Sequence, residues 1–292
     1  MKISIITDEI SADPETAIEL GTKWGVQDFE LRGYYGDRSP HLSSHQKLRL
    51  KDVLKRYDAR VIAISPGLFK FPFPSKQPQE FPLPWLDRVY YENWFNGHKQ
   101  VEEHLNELLP ESLDYANQLG AKKVVTFAFS RGGLSPGSPP DELLECLFRA
   151  AERAQAAGQI LVIENEAGFW ADTGERTGKI AQMINHSALG INWDPGNAFF
   201  EGDTPYPAGY AGVRGWVQHV HFKDARKNEL GEFEFTEEGE IDWAGQIQAL
   251  AADKFQGFIS IETHLRPKVA CAQAALKKLR SLIDVPREST DI

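Results

Sequence analysis

The 292 residues are 41% hydrophobic and 25% charged, the balance of a globular protein with a sizeable core, and the length fits two average domains or one large α/β barrel. The formal net charge is −10, and Lys and Arg are scattered, with no cluster denser than Lys122-Lys123 or Lys277-Lys278; this argues against a nucleic-acid substrate, which calls for a basic face. No apolar run approaches the ~20 residues that span a bilayer, and Cys146 and Cys271 lack CxxC spacing, which suits a cytoplasmic protein without a thiolate metal site or disulfide framework.

The chain opens Met-Lys-Ile-Ser-Ile-Ile-Thr-Asp, too short and too quickly polar for a signal peptide, and reads as a first strand. From there short β-branched runs alternate with longer amphipathic ones. Strands are expected at Ile3–Ile6, Asp28–Leu31, Arg60–Ile64, Lys123–Phe127, Leu161–Glu164, Leu189–Trp193, His219–Phe222 and Phe258–Glu262, short apolar runs of the kind buried on both faces. Helices are expected at Asp13–Trp24, Ser44–Tyr57, Val101–Leu119, Asp141–Ala157, Gly174–Ile184, Trp243–Ala251 and Lys268–Ile283, with a weak one at Tyr210–Trp216. Asp13 before Pro14 forms an N-cap signal. Gly25, Gly120, Gly158 and Gly257 stand where left-handed C-terminal caps would sit. Eight βα units predict one (β/α)8 TIM barrel over residues 1–292. The first turn, Thr7-Asp8-Glu9-Ile10-Ser11, has no glycine, against an open dinucleotide-binding sheet.

A long loop after the third strand, Ser65 to Gly97, breaks the spacing with Phe71-Pro72-Phe73-Pro74, Pro84-Trp85 and Trp94-Phe95. A loop of this length is either a lid or pocket wall, or a surface excursion or homo-oligomer contact; the two readings stand equal. As a lid, it would place Trp94 or Phe95 over the pocket.

Catalytic groups of such barrels sit at the C-terminal strand ends. Four consecutive strands deliver an acid or imidazole there: Glu164, Asp194, His221 and Glu262. Three carboxylates and an imidazole suit one divalent cation, Mn²⁺, Mg²⁺, Co²⁺ or Zn²⁺, and a cation removes the repulsion among the acids. His219 is expected to be structural, turned away from His221. Lys223, sharing the His221 face, reads equally as a substrate-binding or a solvated lysine. His264 and Arg266 follow the last ligand where barrels often bind phosphate, a rim salt bridge being the plain alternative for Arg266. Glu30 either reaches the pocket or belongs to a buried Glu–Arg pair between neighbouring strands.

These strand ends resemble the sugar phosphate isomerase/epimerase superfamily, the xylose isomerase-like barrels. The opening Ile-Thr-Asp-Glu-Ile-Ser-Ala-Asp, the second-strand Phe29-Glu30-Leu31-Arg32 and the run from Leu161 to His264 carry the same likeness. The resemblance implies that Glu164, Asp194, His221 and Glu262 bind the metal. It also implies that Glu164 and Glu262 act as the acid–base pair on opposite faces of a bound keto sugar. Asn197 stands where the superfamily's apurinic endonucleases place a further His ligand, against DNA repair. Glu166 stands where many relatives have His. The expected activity is metal-dependent sugar or sugar phosphate isomerisation or epimerisation through an enediolate. A dehydratase of the inosose or 3-dehydroshikimate type is the enzyme alternative, and a non-catalytic sugar-binding barrel the rival of a different class.

Overall fold

The computed structural model describes residues 1–74 and 96–284. Eight parallel strands close into a barrel in chain order: β1 (Lys2–Ile6), β2 (Asp28–Leu31), β3 (Arg60–Leu68), β4 (Lys123–Phe127), β5 (Ile160–Glu164), β6 (Leu189–Trp193), β7 (Val217–Phe222) and β8 (Phe258–Ile261). This is the predicted (β/α)8 architecture. The outer helices include Pro14–Lys23, Ser44–Arg56, Asp141–Ala156, Gly174–Ile184, Trp243–Ala252 and Lys268–Ile283.

Local chemistry sets the element ends. Asp13 caps the first long helix through Oδ2, which accepts from Thr16 N at 3.3 Å, with Pro14 in the opening turn. Ser43 and Gln46 form a reciprocal capping box. Gly25, Gly120 and Gly158 take the left-handed conformation expected of them, at φ +81°, +75° and +70°. Gly257 does not. The left-handed residue there is Lys254, at φ +56°, and Gly257 is required by crowding, since a Cβ would lie 2.6 Å from Gln218 O.

Several features depart from the expected pattern. β3 continues to Leu68, so the loop that follows starts later than Ser65. Phe69 and Phe71 turn inward and pack on Phe129, with ring centroids 4.8 and 5.3 Å away. The helix before β4 begins by residue 96 and contains a wide turn, His104–Leu108. Trp94, Phe95 and most of the Phe71–Trp85 stretch lie outside the described residues. Asp194-Pro-Gly-Asn opens a short helix, Pro195–Phe200, and two hairpins were not foreseen: Gly33–Tyr34 with Asp37–Arg38, and Asp224–Lys227 with Phe233–Thr236.

The barrel interior is partly polar. Ser4, Glu30, Asn192, His219 and Ser260 are each 0% exposed. Such groups are tolerated inside only when bonded to one another, and their network leads to the C-terminal mouth. Among the described residues, no helix is long and apolar enough to cross a membrane.

Candidate metal and catalytic site

Glu164 is the last residue of β5, His221 lies in β7, and Asp194 and Glu262 directly follow β6 and β8. All four are buried, and each offers a ligand atom within 4.8 Å of the others'. His221 Nδ1 stands 3.4 Å from Glu164 Oε1, 3.7 Å from Asp194 Oδ2 and 3.1 Å from Glu262 Oε2.

Asparagines hold the carboxylates in place. Asn165 Nδ2 donates to Asp194 O and its Oδ1 accepts from Asp194 N, both at 2.8 Å. Asn197 Nδ2 donates to Asn165 O at 2.9 Å and to Glu164 Oε1 at 3.3 Å. Asp194 Oδ1 caps the short helix by accepting from Asn197 N at 2.9 Å, which leaves Oδ2 directed at the cluster.

Two atoms test whether a cation fits. His221 Nδ1 and Asp194 Oδ2 are buried without a hydrogen-bond partner among the described residues, and both face the common space of the four side chains. Oδ2 does meet Lys223 Nζ at 2.7 Å, as an ion pair off hydrogen-bonding alignment. One imidazole nitrogen and carboxylate oxygens around a single point form a hard donor set suited to Mg²⁺, Mn²⁺, Co²⁺ or Zn²⁺.

Lys223 is 2% exposed and bridges the cluster, 2.7 Å from Asp194 Oδ2 and 2.8 Å from Glu262 Oε2. A solvated lysine is thereby ruled out. Glu262 is also paired with Arg32, whose guanidinium reaches Asp8 at 3.0 Å and Glu9 at 2.6 Å. Burial pushes the Glu262 carboxyl up, but Lys223, His221 and Arg32 outweigh it and hold the group well below the carboxylate range. Burial likewise opposes a proton on His221, yet Glu30, Glu164 and Glu262 raise its proton affinity well above the usual. A bound cation and a proton on His221 Nδ1 would therefore compete.

Two expectations require correction. Residues two apart on a strand share a face, so His219 is not turned away from His221; both rings enter the barrel, centroids 5.5 Å apart. Glu30 lies beneath the cluster and pairs with two histidines, not with an arginine of a neighbouring strand. It is 0% exposed, with Oε2 2.8 Å from His219 Nε2 and 3.2 Å from His221 Nε2. His264 sits at the rim, its Nε2 3.4 Å from Glu262 Oε1 and its Nδ1 3.4 Å from Glu9 Oε1. Arg266 is exposed, and among the described residues no hydrogen bond or ion pair reaches it.

The wall beside Lys223 is aromatic. Phe235, carried by the Phe233–Thr236 strand, packs 4.4 Å from Phe200 and 5.3 Å from His264 by ring centroids, and Lys223 Nζ lies 5.3 Å over it. Lys278 anchors this hairpin through Asp224 Oδ2 at 3.0 Å and Glu237 O at 2.8 Å. The sequence reading missed Glu9, Asn192 and Phe235. Of these, Phe235 carried a signal, since Phe233-Glu-Phe235 alternates as a strand does.

An inosose dehydratase from Geobacillus kaustophilus is 25% identical to this chain over 160 residues, 49% of the chain and 52% of that protein; the match thus spans about half the relative's length. A D-allulose 3-epimerase from Methylomonas sp., solved with D-allulose, superimposes with a TM-score of 0.67 at 15% identity, over 96% of each chain. A xylose isomerase-like TIM barrel protein from Mycobacterium smegmatis, solved with magnesium, gives a TM-score of 0.66 at 16% identity, over 92% of this chain and 88% of that one. A family profile matches residues 18–282, and the chain belongs to the xylose isomerase-like TIM barrel family.

Proposed function

We propose that the chain is a metal-dependent isomerase or epimerase of a keto sugar, in which Glu164, Asp194, His221 and Glu262 hold one divalent cation. The observation that carries this reading is the convergence of two glutamates, from the ends of β5 and β8, with Nδ1 of His221 and Oδ2 of Asp194, two buried atoms that make no hydrogen bond among the described residues. When bound, the cation would polarise the substrate carbonyl and its neighbouring hydroxyl and so stabilise an enediolate.

The residues then divide the work. Asp194 and His221 hold and orient, because their backbone and second nitrogen are fixed by Asn165 and Glu30. Glu164 carries the lighter load of contacts: Asn197 Nδ2 at 3.3 Å and His221 Nδ1 at 3.4 Å. It is the better placed to take the proton from the carbon beside the carbonyl. Glu262, held as an anion by Arg32 and Lys223, returns a proton less readily. Phe235 and Phe200 shield the reacting carbon from water.

That asymmetry supports a second reading, a metal-dependent dehydratase of the inosose or dehydroshikimate type. Glu164 would again remove the C–H proton, and the Lys223 ammonium would protonate the departing hydroxide to give water. The half-length likeness to an inosose dehydratase supports this alternative as well. Incubation of the Mn²⁺-loaded protein in heavy water with ketoses, inososes and dehydroshikimate separates the readings. Deuterium at the carbon next to the carbonyl with a rearranged product supports isomerase or epimerase action, and a product lighter by one water supports dehydration. Full turnover after rigorous removal of divalent metal would overturn both.

A further inference from the structure

Arg38 lies in the hairpin that follows β2. Its Nε donates to Ser65 O at 2.9 Å, and its Nη2 lies 3.5 Å from Ser65 Oγ. Gly67, at φ +81°, lets the guanidinium lie close on the β3 backbone; a Cβ there would stand 3.2 Å from Arg38 Cζ and Nε. Ser65 shows which way this group faces. β2 pairs Glu30 with Ala63 of β3, and Glu30 points into the barrel. Paired residues of parallel strands share a side, and side chains repeat it every two positions. Ser65 thus continues the inward-facing row one step nearer the mouth, and Arg38 overhangs that row. The proposed metal ligands come from β5 to β8, on the other half of the mouth.

The basic groups around the mouth differ in their partners. Arg32 is matched by Asp8, Glu9 and Glu262, Lys223 by Asp194 and Glu262, and Lys70 by Glu166 at 2.9 Å. Arg131 is matched by Asp172 and Glu201. Arg38 has no carboxylate partner among the described residues. A guanidinium has five N–H donors; Ser65 engages two, leaving both protons of Nη1 and one of Nη2. Burial and the neighbouring Arg32 charge lower its proton affinity below the usual, and the more distant attraction of Glu164, Asp8 and Glu262 does not offset them. A carboxylate or phosphate bridging Nη1 and Nη2 would restore that balance with two parallel charge-assisted hydrogen bonds.

We propose that Arg38 is an anion-recognition residue of this pocket, and that the substrate carries a carboxylate or phosphate at the end remote from its reacting carbonyl. This deepens the reading of the site as a keto-sugar enzyme and rests on it for where the carbonyl end lies. The test is calorimetric titration of the Mn²⁺-loaded protein, at fixed ionic strength, with D-fructose, D-fructuronate and D-fructose 6-phosphate. One charged sugar is expected to bind at least about 10-fold tighter than D-fructose, and which one does so tells carboxylate from phosphate. Arg38→Gln should abolish that advantage and leave D-fructose binding unchanged within about twofold. Arg38→Lys, which keeps the charge but loses the fork, should retain only part of it and carries the test should the Gln variant not fold. Equal affinities for the three sugars, or a charged preference that survives both substitutions, would overturn the proposal. An Arg38-dependent preference without proton exchange or dehydration would support the anion site and remove the isomerase reading. Turnover of D-fructose with no Arg38-dependent preference would do the reverse.

Discussion

The Glu30 carboxylate stands 2.8 Å from His219 Nε2 and 3.2 Å from His221 Nε2, bridging two histidines of one strand deep in the barrel. Burial pushes the Glu30 carboxyl up, but His221 and His219 hold it well below the carboxylate range. A carboxylate on Nε2 fixes the ring and directs the Nδ1 lone pair at the proposed cation. Glu30→Gln should therefore weaken Mn²⁺ binding about 10–100-fold. Calorimetric metal titration checks this, with no substrate involved. An unchanged affinity would reduce Glu30 to a packing residue.

Lys223 gives the opposite sign. Its ammonium touches two of the proposed ligands, Asp194 and Glu262, and so repels an incoming divalent ion while favouring an anionic substrate intermediate. Lys223→Met should bind Mn²⁺ at least about 10-fold tighter, because removing a unit charge a few ångströms away is worth more than 1 kcal/mol even in a well-screened site. The same variant should turn over substrate more slowly. Weaker metal binding would show that Lys223 organises the ligands.

The strand ends were legible because burial on both faces forces continuous apolar runs, and the first polar residue after each run marks the rim. Glu164 and Glu262 could be picked out in this way, whereas Asn192 precedes Asp194 inside β6 and His219 precedes His221 inside β7, so those two were found from their place beside the same rim. The positions of Glu30 and His219 were not read correctly. Glu30 follows Phe29 inside β2 and resembles any strand-end acid, and only the barrel's closure brings β2 within reach of β7. The His219/His221 pair was legible from the two-residue period and was misassigned. The hairpin carrying Arg38 has strands of only 2 residues, too short for periodicity to register, whereas the 4-residue strand of Phe235 shows an alternation that was passed over. Asn165 and Asn197 act by pairing with the backbone, and an asparagine at a turn gives no sequence signal that separates this from ordinary turn chemistry.

Glu9 supplies a pH dependence. Burial pushes its carboxyl up, but the hydrogen bond to His264 and the Arg32 charge outweigh this and lower it from the ordinary 4.5 to about 2. A depressed carboxyl stabilises the fold above its unfolded value, and that stability is lost as pH falls from about 4.5 toward 2. The shift corresponds to about 3 kcal/mol. Urea unfolding of the metal-free protein across this window should show a steeper loss for wild type than for Glu9→Gln. Parallel curves would assign the acid limb to other carboxylates.

The glutamates are separated by their burdens. Glu164 meets only Asn197 and His221 among the described residues, whereas Glu262 is held by Arg32, Lys223 and His221. Gln at either position keeps the size and one ligand oxygen but removes the base. Glu164→Gln should keep measurable metal affinity and lose at least ~10²-fold in rate, including the exchange of the substrate's carbon-bound proton with heavy water. Glu262→Gln should also lose turnover, yet continue to exchange that proton if Glu164 alone performs the abstraction. Asp194→Asn should act mainly through metal affinity and recover partly in excess Mn²⁺. The informative comparison is exchange against net turnover for each variant. Exchange lost in Glu262→Gln but kept in Glu164→Gln would interchange the two roles, and full activity in both, with metal bound, would end the proton-transfer reading of the site.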